Sequence, residues 1–325
     1  MRIIKPSATL MEHNVTPYKF IEKVGRTCYK SEDLITDDSA EKFVKGLVNR
    51  QHWAMLEHET IFLVVSRIFM EDFLYDTQEH TNALRFFNIT FERNICIISG
   101  SFRSFHDLFV AGIDSKAVVY MESFLRKNYP LVFGDFDDNI LLNYFEKDCA
   151  LYSRKEFIGT FKNRWDILSR HLTHTFLFVC DRGVSHEFVR HRVASFAQES
   201  TRYCNYSKDK FGNEITVIEP CFWNKNSAEY GEWKSSCKQS ERTYFNMITL
   251  GNATPQEART VLPNSLKTEL IITATEEEWQ HIVNLRYLGT TGAPHPQMKE
   301  SMSFIIEDLI SVTDGRVNVL VKGAK

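Results

Sequence analysis

The chain has 325 residues, of which 43% are hydrophobic and 25% are charged, and this balance excludes an intrinsically disordered protein. With 39 Lys and Arg against 42 Asp and Glu, the formal net charge is −3, which excludes a surface that is basic throughout, as nucleic-acid-binding proteins often have. The length fits about two domains, or one domain that carries a large insertion.

The sequence contains no segment that predicts membrane insertion or secretion. Its longest apolar runs, such as Ile61–Val65 and Phe176–Cys180, are far shorter than the ~20 residues of a membrane helix. The 7 cysteines are scattered and include no CxxC pair, which favours reduced thiols over disulfides or a zinc site. We find no internal repeat in the sequence. These features predict a cytoplasmic protein that has no membrane partner.

Hydrophobic periodicity and capping residues predict helices that alternate with strands. The predicted helices cover 39–51, 117–127, 155–172, 255–262, 276–287 and 296–312, with one or two turns at 183–189, and the predicted strands cover 59–67, 94–99 and 173–180. Capping boxes at Asp38, Thr254 and Thr275 begin three of these helices. Because no βαβ rhythm, GxGxxG turn or P-loop is present, we expect an α+β fold without a Rossmann or P-loop nucleotide site.

A basic triplet, Arg190–Arg192, is the densest chemical feature of the chain. Its adjacent side chains repel one another unless an anion lies among them. The polar segment Gln198–Arg202 follows closely and is typical of a loop around a polar ligand. A solvated basic turn is the alternative, although Phe188 and Phe196 beside the triplet would suit a surface loop poorly. The residues alone leave both interpretations open.

Arg286 is a second candidate functional residue, because it continues the apolar face that Trp279 and Val283 form on a predicted helix. A guanidinium that faces inward needs a partner. A core carboxylate and an anionic ligand both remain open as that partner. Arg259, on another helix, is better explained from the residues alone as a surface side chain.

No metal site is predicted from the histidines. His186 and His191 are five positions apart, which separates them by about 140° on a helix. His171 and His174 have suitable spacing but no further ligand nearby. Ser200 is a potential nucleophile, but the spacing identifies no general base beside it.

The segment Arg190–Tyr203, RHRVASFAQESTRY, resembles the motif of the flavin-dependent thymidylate synthase family, in which an Arg-His-Arg triplet is followed after seven residues by a serine, here Ser200. Further segments of this chain are similar to other blocks of the family and occur in the same order. They are His52, Glu57-His58, Glu257–Pro263, Asn284–Arg286 and His295–Gln297. The chain departs from shorter members by about 110 extra residues, approximately 67–172, which read as an insertion into a single domain covering 1–325. It also departs at Ala54, Glu187, Ala197-Gln198 and Thr275–Glu277.

The resemblance implies reductive methylation of dUMP to dTMP. FAD and NADPH would supply the hydride, and 5,10-methylenetetrahydrofolate would supply the carbon. It also implies a twisted, largely antiparallel sheet flanked by helices, in a homotetramer with active sites at subunit contacts. Neither nucleic acid nor a membrane is an expected partner. The alternative is a non-catalytic nucleotide- or RNA-phosphate-binding module built on Arg190–Arg202.

The resemblance also assigns roles to individual residues. Arg286 would activate the uracil ring, and Ser200, the other catalytic candidate, would bind substrate rather than form an adduct. The predicted flavin-binding residues are His52, Arg190, His191, Arg192, Gln198, His281 and His295. The predicted dUMP-binding residues are Glu187, Arg190, Gln198, Glu199, Ser200, Thr201, Arg202, Arg259 and Arg286.

Overall fold

The structure is a computed structural model that describes residues 1–80, 82–136, 149–202, 204–208 and 211–319. Tyr203, at the end of the basic motif, lies outside the described residues. Among the described helices, none has both the length and the apolar character that crossing a membrane requires.

The strands and helices are bounded as follows. The strands are β1 (Arg2–Ile4), β2 (Ser7–Met11), β3 (Thr60–Ser66), β4 (Phe87–Phe91), β5 (Ile95–Ser101), β6 (Cys149–Tyr152), β7 (Thr173–Asp181), β8 (Ser195–Gln198), β9 (Thr216–Ile218) and β10 (Lys267–Thr275). The helices are α1 (Pro17–Tyr29), α2 (Ser39–Asn49), α3 (Arg67–Thr77), α4 (Phe102–Phe109), α5 (Lys116–Asn128), α6 (Pro130–Phe133), α7 (Arg154–Phe161), α8 (Trp165–His171), α9 (Arg182–Phe188), α10 (Ala228–Thr249), α11 (Pro255–Ala258), α12 (Glu276–Val283), α13 (Pro296–Ser303) and α14 (Ile306–Val312). Short 3₁₀ turns occur at Trp53–His58 and Arg259–Val261, and a π turn at Asn284–Leu288.

Two four-stranded antiparallel sheets form the centre of the protein. Their strand orders are β2-β7-β10-β8 and β4-β5-β3-β6, and β1 and β9 form a separate parallel pair. Helices flank both sheets. The predicted α+β class with largely antiparallel pairing is confirmed, with the strands divided between two sheets. The segment 67–172, which the resemblance treats as an insertion, supplies β4, β5 and β6, of which β5 and β6 pair with β3 and β4 pairs with β5.

Alternation along β7 and β10 gives one sheet two buried faces. Phe176 and Phe178 of β7 pack with Trp279 and α13 in one core. Leu177 and Ile271, which point to the opposite face, pack into a second core with β3, β5, α1 and α5. This two-sided burial fits the central place of β7 and β10 in their sheet, and β7 leads directly into α9, which precedes the Arg190–Arg192 triplet.

Several predicted elements differ from the structure in their extent. The predicted helix 155–172 is two helices, α7 and α8, and the predicted helix 296–312 is interrupted between α13 and α14. The capping box at Thr254 forms, but Asp38 makes no side-chain cap. The first helical residue after it, Ser39, instead bonds to Glu22 and to the backbone of Thr36. Helix α10 was not predicted, because it buries only a narrow stripe that includes Tyr230, Cys237 and Tyr244.

A buried carboxylate, Glu276, ties the start of α12 to the chain's C-terminal region. Arg316 donates to both of its oxygens at 2.7 and 2.8 Å, and His174 lies 2.9 Å away. Burial alone would raise the pKa of Glu276, but the hydrogen bonds from Arg316 and His174 outweigh it and hold the pKa below its ordinary 4.5. Since the folded-state pKa is depressed, the resulting stability is present above pH 4.5 and is lost as the pH falls through the folded-state value.

We predict that Arg316→Met lowers the free energy of unfolding at neutral pH by about 3 kcal/mol, because it leaves a buried charge without its main partner. It also flattens the decline in stability below pH 4.5. Urea unfolding at neutral and acidic pH measures both effects. Arg67→Met, which removes an exposed pair with Glu71, is the control and should cost no more than about 0.5 kcal/mol. Equal effects of the two variants would contradict the assignment.

Candidate active site

The basic triplet follows directly from the end of α9. Asp181 caps this helix by accepting a hydrogen bond from the Val184 backbone at 2.8 Å. The helix ends at Phe188, whose ring is fully buried against Phe178. This anchoring turns His191 inward, where it is 5% exposed. Arg190 and Arg192 on either side of it are exposed.

The inward guanidinium predicted at Arg286 is present, and its protein partners are Glu187 and His191. Arg286 donates from Nη1 to Oε2 of Glu187 at 2.8 Å and from Nη2 to the Glu187 carbonyl at 3.0 Å. Its Nε donates to Nε2 of His191 at 3.1 Å. A carboxylate therefore pairs with this arginine, but Glu187 is 33% exposed and does not belong to the core. The arrangement fixes the plane of the guanidinium relative to the triplet.

The hydrogen bond from Arg286 also selects the tautomer of His191. Because Nε2 accepts, the ring proton sits on Nδ1, which faces Oε1 of Glu278 at 3.3 Å. The ring of His281 lies edge-on to His191, with centroids 5.5 Å apart. The result is a continuous polar cluster of Glu187, Arg286, His191 and Glu278.

In the described part of the chain, one group of side chains has the spacing to hold a metal ion. It consists of His191, Glu278 and His281, whose ligand atoms lie within 4.8 Å of one another. A metal on Nδ1 of His191 would require the ring proton on Nε2, where it would oppose the N–H of Arg286. The donor chemistry therefore fits a hydrogen-bonded cluster better than a metal centre.

A cleft of about 1170 Å³ brings four other predicted residues together. These are His52, Gln198, Ser200 and Arg202. The opposite wall comes from α1, α2 and the turn between α1 and α2. With the segment after α2, which includes Arg50 and the turn at Trp53–His58, it contributes cationic and apolar side chains, namely Arg26, Lys42, Arg50, Tyr29, Phe43 and Met55. Asp38 is the acidic side chain in this lining, so positive charge predominates.

Tyr29 contacts His52 inside this cleft. Its hydroxyl is hydrogen-bonded to Nδ1 of His52, and the two rings are tilted with centroids 5.8 Å apart. Burial and the nearby Arg50 lower the pKa of His52 below its ordinary 6.5. The imidazole is therefore neutral at physiological pH, and if Tyr29 donates to Nδ1, Nε2 carries a proton.

Gln198, Glu199 and Thr201, at the end of β8 and in the loop after it, each bond to a different partner. Gln198 donates to the hydroxyls of Ser185 and Thr268 at 2.9 and 3.1 Å. The carboxylate of Glu199 is buried and lies 2.9 Å from Nζ of Lys267. Thr201 is also buried and accepts from the exposed Arg259 at 3.5 Å. Glu199 thus anchors the loop, with its neighbours Gln198 and Ser200 on the cleft wall.

Two further predicted flavin-binding residues, Arg192 and His295, lie away from both that cleft and the polar cluster. Arg192 lines a second cleft of about 310 Å³, together with Arg85, Glu57 and Arg103 from the first half of the chain. His295 is exposed and packs edge-on against Phe222, with centroids 5.8 Å apart.

The predicted site residues are therefore divided among separate places in one chain. Arg286, Glu187 and His191 belong to the polar cluster, and His281 packs against it. His52, Gln198, Ser200 and Arg202 line the larger cleft. Sequence reasoning missed Tyr29, Lys42 and Arg50. These residues lie on or beside amphipathic helices, and their spacing carries no signal that separates a cleft wall from a solvated helix face.

Comparison with known proteins identifies relatives of the second half. Residues 159–307 match the family model described as thymidylate synthase complementing protein. The flavin-dependent thymidylate synthase of Pyrococcus furiosus is 33% identical over 117 residues, which are 36% of this chain and 47% of that protein. The enzyme of the same name from Saccharolobus solfataricus is 30% identical over 147 residues, 44% of this chain and 54% of that protein. The chain spans about half the length of the curated relatives it matches.

Among solved structures, the UMP/dUMP methylase PolB of Streptomyces cacaoi, bound with 5-Br dUMP, aligns along the whole of both chains with 12% identity and a TM-score of 0.41. A similarity this weak supports no conclusion about this chain. The region matched by the family model contains the Arg190–Arg192 triplet, Ser200, Arg259 and Arg286. The resemblance of this chain to the flavin-dependent thymidylate synthases, first seen in its sequence, is therefore confirmed.

Proposed function

We propose that this chain methylates dUMP to dTMP, with 5,10-methylenetetrahydrofolate as the one-carbon donor and FAD and NADPH as the source of the hydride. The observation that carries the proposal is the cation-rich cleft lined by His52, Gln198, Ser200 and Arg202. A nucleotide monophosphate is an anion attached to a planar ring, and this lining offers both cations and aromatic surface.

The larger cleft provides the groups that a nucleotide phosphate requires. Ser200 and Arg202 lie at one wall, and Lys42 and Arg50 lie at the other. We assign the phosphate of dUMP to the side of Ser200 and Arg202. Arg259, which contacts Thr201 on the same loop, adds positive charge there. Gln198 is held by Ser185 and Thr268, so its side chain reaches the ligand from a fixed position.

The residues present also fit a flavin. In the described part of the chain, Arg192 has no carboxylate within ion-pairing distance, and His52 is held neutral. Cations without acidic partners suit the diphosphate of FAD, and a neutral imidazole can hydrogen-bond to a flavin ring. We assign His52, Arg190, His191, Arg192, Gln198, His281 and His295 to flavin binding. The bound flavin would supply the hydride that completes the methyl group.

Arg286 would stabilise negative charge on the uracil ring. Glu187 and His191 hold the guanidinium, so no reorientation is required when charge develops on the pyrimidine. Its remaining N–H groups are available for a ring carbonyl oxygen. Ser200 would orient dUMP by hydrogen bonding and would form no covalent bond to it.

We also propose that the functional assembly is a homotetramer in the cytoplasm, with active sites completed at subunit contacts. Support comes from the separation of the polar cluster from the larger cleft within one chain. Val189 and Val193 beside the triplet are 39% and 70% exposed, as expected for residues that another subunit covers. No disulfide joins the cysteines in the described part of the chain, which fits a reducing compartment.

The second candidate is a non-catalytic nucleotide- or RNA-phosphate-binding module, and the exposure of Arg190 and Arg192 favours it. Such a module would hold no flavin, and its affinity for RNA would fall steeply with salt concentration. Purified protein distinguishes the two candidates. Flavin absorbance together with NADPH oxidation that dUMP accelerates supports the enzyme, whereas colourless protein that ignores added FAD supports the module.

We predict that Arg286→Ala lowers kcat about 10²- to 10³-fold, because it removes a preorganised donor to the developing charge. Steady-state dTMP formation measures this loss. Arg242→Ala, on the outer part of α10, is the matched arginine control and should leave kcat unchanged. Near-normal turnover of Arg286→Ala would contradict the activating role.

For Ser200→Ala we predict continued turnover with a KM for dUMP raised about tenfold, the cost of one hydrogen bond to a charged group. Complete loss of turnover, in a variant that still binds dUMP, would instead indicate an obligatory serine adduct.

A further inference from the structure

The two four-stranded sheets have the same architecture. In each, a central strand is followed directly by a helix, then by an edge strand and a second central strand that leads into another helix. The first series is β3-α3-β4-β5-α4, and the second is β7-α9-β8-β10-α12, in which β9, α10 and α11 form an additional segment between β8 and β10. Each series is also preceded by a strand and two helices, β2-α1-α2 and β6-α7-α8.

The strand registers of the two sheets agree residue by residue. Thr60 pairs with Ser101 in the first sheet, and Thr173 pairs with Thr275 in the second. Ser101 and Thr275 each cap the helix that follows. On the other side, Asn88 pairs with Ser99, as Ser195 pairs with Thr273. The sheets are therefore equivalent in register as well as in connectivity.

The fourth strand of each sheet comes from the other series. β2 precedes the first series but pairs with β7, whereas β6 precedes the second series but pairs with β3. Equivalent strands are thus exchanged in both directions. Reciprocal exchange is what a twofold axis between two copies of one unit produces.

Side-chain contacts across the two units are reciprocal in the same way. His58, two residues before Thr60, bonds through Nδ1 to Thr273 at 2.7 Å. His171, two residues before Thr173, bonds through Nδ1 to Ser99, the counterpart of Thr273, at 2.8 Å. Burial lowers the pKa of both histidines to about 3.

Thr60 and Thr173 are counterparts of each other, and their hydroxyls lie 3.0 Å apart. A contact between two equivalent residues places them on the axis.

An ion pair is also repeated, with its charges reversed. Arg103 contacts Glu57 at 2.5 Å, and at the equivalent positions Glu277 lies 3.7 Å from Arg170. The smaller cleft lies on the same axis, since equivalent residues from both units line it, including Thr60 and Thr173, Ser99 and Thr273, and Arg85 and Arg192.

We propose that Ser7–Phe109 and Cys149–Val283 are two copies of one folding unit, which exchange their first strands about an internal twofold axis, and that of the two faces related by this axis only the one at the larger cleft binds nucleotide. The first copy is then a built-in partner for the second. The identity of the nucleotide, dUMP, rests on the proposed function.

The face that the axis relates to the larger cleft differs from it at the positions that matter for binding. The larger cleft combines His52 from the first copy with Gln198 and Ser200 from the second. At the related positions the chain has Trp165, Phe91 and Arg93. An ion pair of 2.7 Å between Arg164 and Glu92 joins the copies there. The related face thus lacks the imidazole, the amide and the hydroxyl of the larger cleft.

Sequence comparison of the halves misses this relationship, because what the copies share is a pattern of apolar and hydroxyl residues. Ile97-Ile98 and Ile271-Ile272 are identical pairs, and the residues that follow are small or hydroxylated in both copies. Within the basic triplet, Arg192 alone has a basic counterpart in the first copy, Arg85, because Ala83 and Leu84 stand at the positions of Arg190 and His191.

Cysteine cross-linking of the full-length protein tests the twofold arrangement. We expect Thr60→Cys with Thr173→Cys to form a disulfide within one chain on oxidation with copper phenanthroline, and mass spectrometry of the linked peptides identifies it. Thr9→Cys with Leu177→Cys, a paired position on the exchanged strand, tests the exchange separately. Wild type and the single cysteine variants are the controls. Covalent dimers, or no cross-link in either folded double variant, would overturn the proposal.

Matched variants at equivalent positions test which of the two related faces binds dUMP. By calorimetry the wild type should bind a single dUMP per chain, and Ser200→Ala should weaken binding about tenfold, the cost of about 1.4 kcal/mol. Arg93→Ala, at the exposed counterpart position, should leave the affinity within about twofold, as surface substitutions usually do.

Two dUMP molecules per chain, or equal losses in both variants, would overturn the assignment of the binding cleft. A wild type that binds no dUMP would reject the proposed function together with that assignment, whereas the cross-links would still decide the exchange of strands.

Discussion

The guanidinium of Arg286 joins two segments that are far apart in the sequence, the end of α9 and the π turn after α12. Glu187 accepts from it through both its carboxylate and its carbonyl, and His191 accepts at Nε2. Because His191 then directs its proton toward Glu278, the whole cluster has one consistent hydrogen-bond arrangement. The direction of the guanidinium is therefore fixed before a ligand arrives, and the proposed chemistry depends on this constraint.

The sheets explain how these segments are held in place. β7 and β10 are buried on both faces, so the helices that follow them, α9 and α12, begin from rigid positions. The first half of the chain covers one of those faces and supplies His52, Lys42 and Arg50 to the larger cleft. The first half therefore both packs against the central sheet and supplies side chains to the cleft, although the family model covers only the second half.

Local signals in the sequence predicted the fold better than they predicted the site. The cap at Thr254 depends on neighbouring residues alone, and it forms as expected. The side chain of Asp38 does not cap its helix, and the neighbouring Ser39 instead donates a hydrogen bond to Glu22, which is distant in the sequence. Similarly, periodicity identified Arg286 as inward-facing, but its partner Glu187 could be found only in three dimensions. The division of the site between separate clefts depends on sheet packing, which no local pattern encodes.

The most direct test of the central claim is tritium release from dUMP labelled at C5, because methylation of that carbon displaces its hydrogen. The assay would contain NADPH and 5,10-methylenetetrahydrofolate, with and without added FAD. The account predicts release that requires the protein and the flavin and that yields dTMP in equal amount. Absence of release from folded protein that has bound both FAD and dUMP would contradict it.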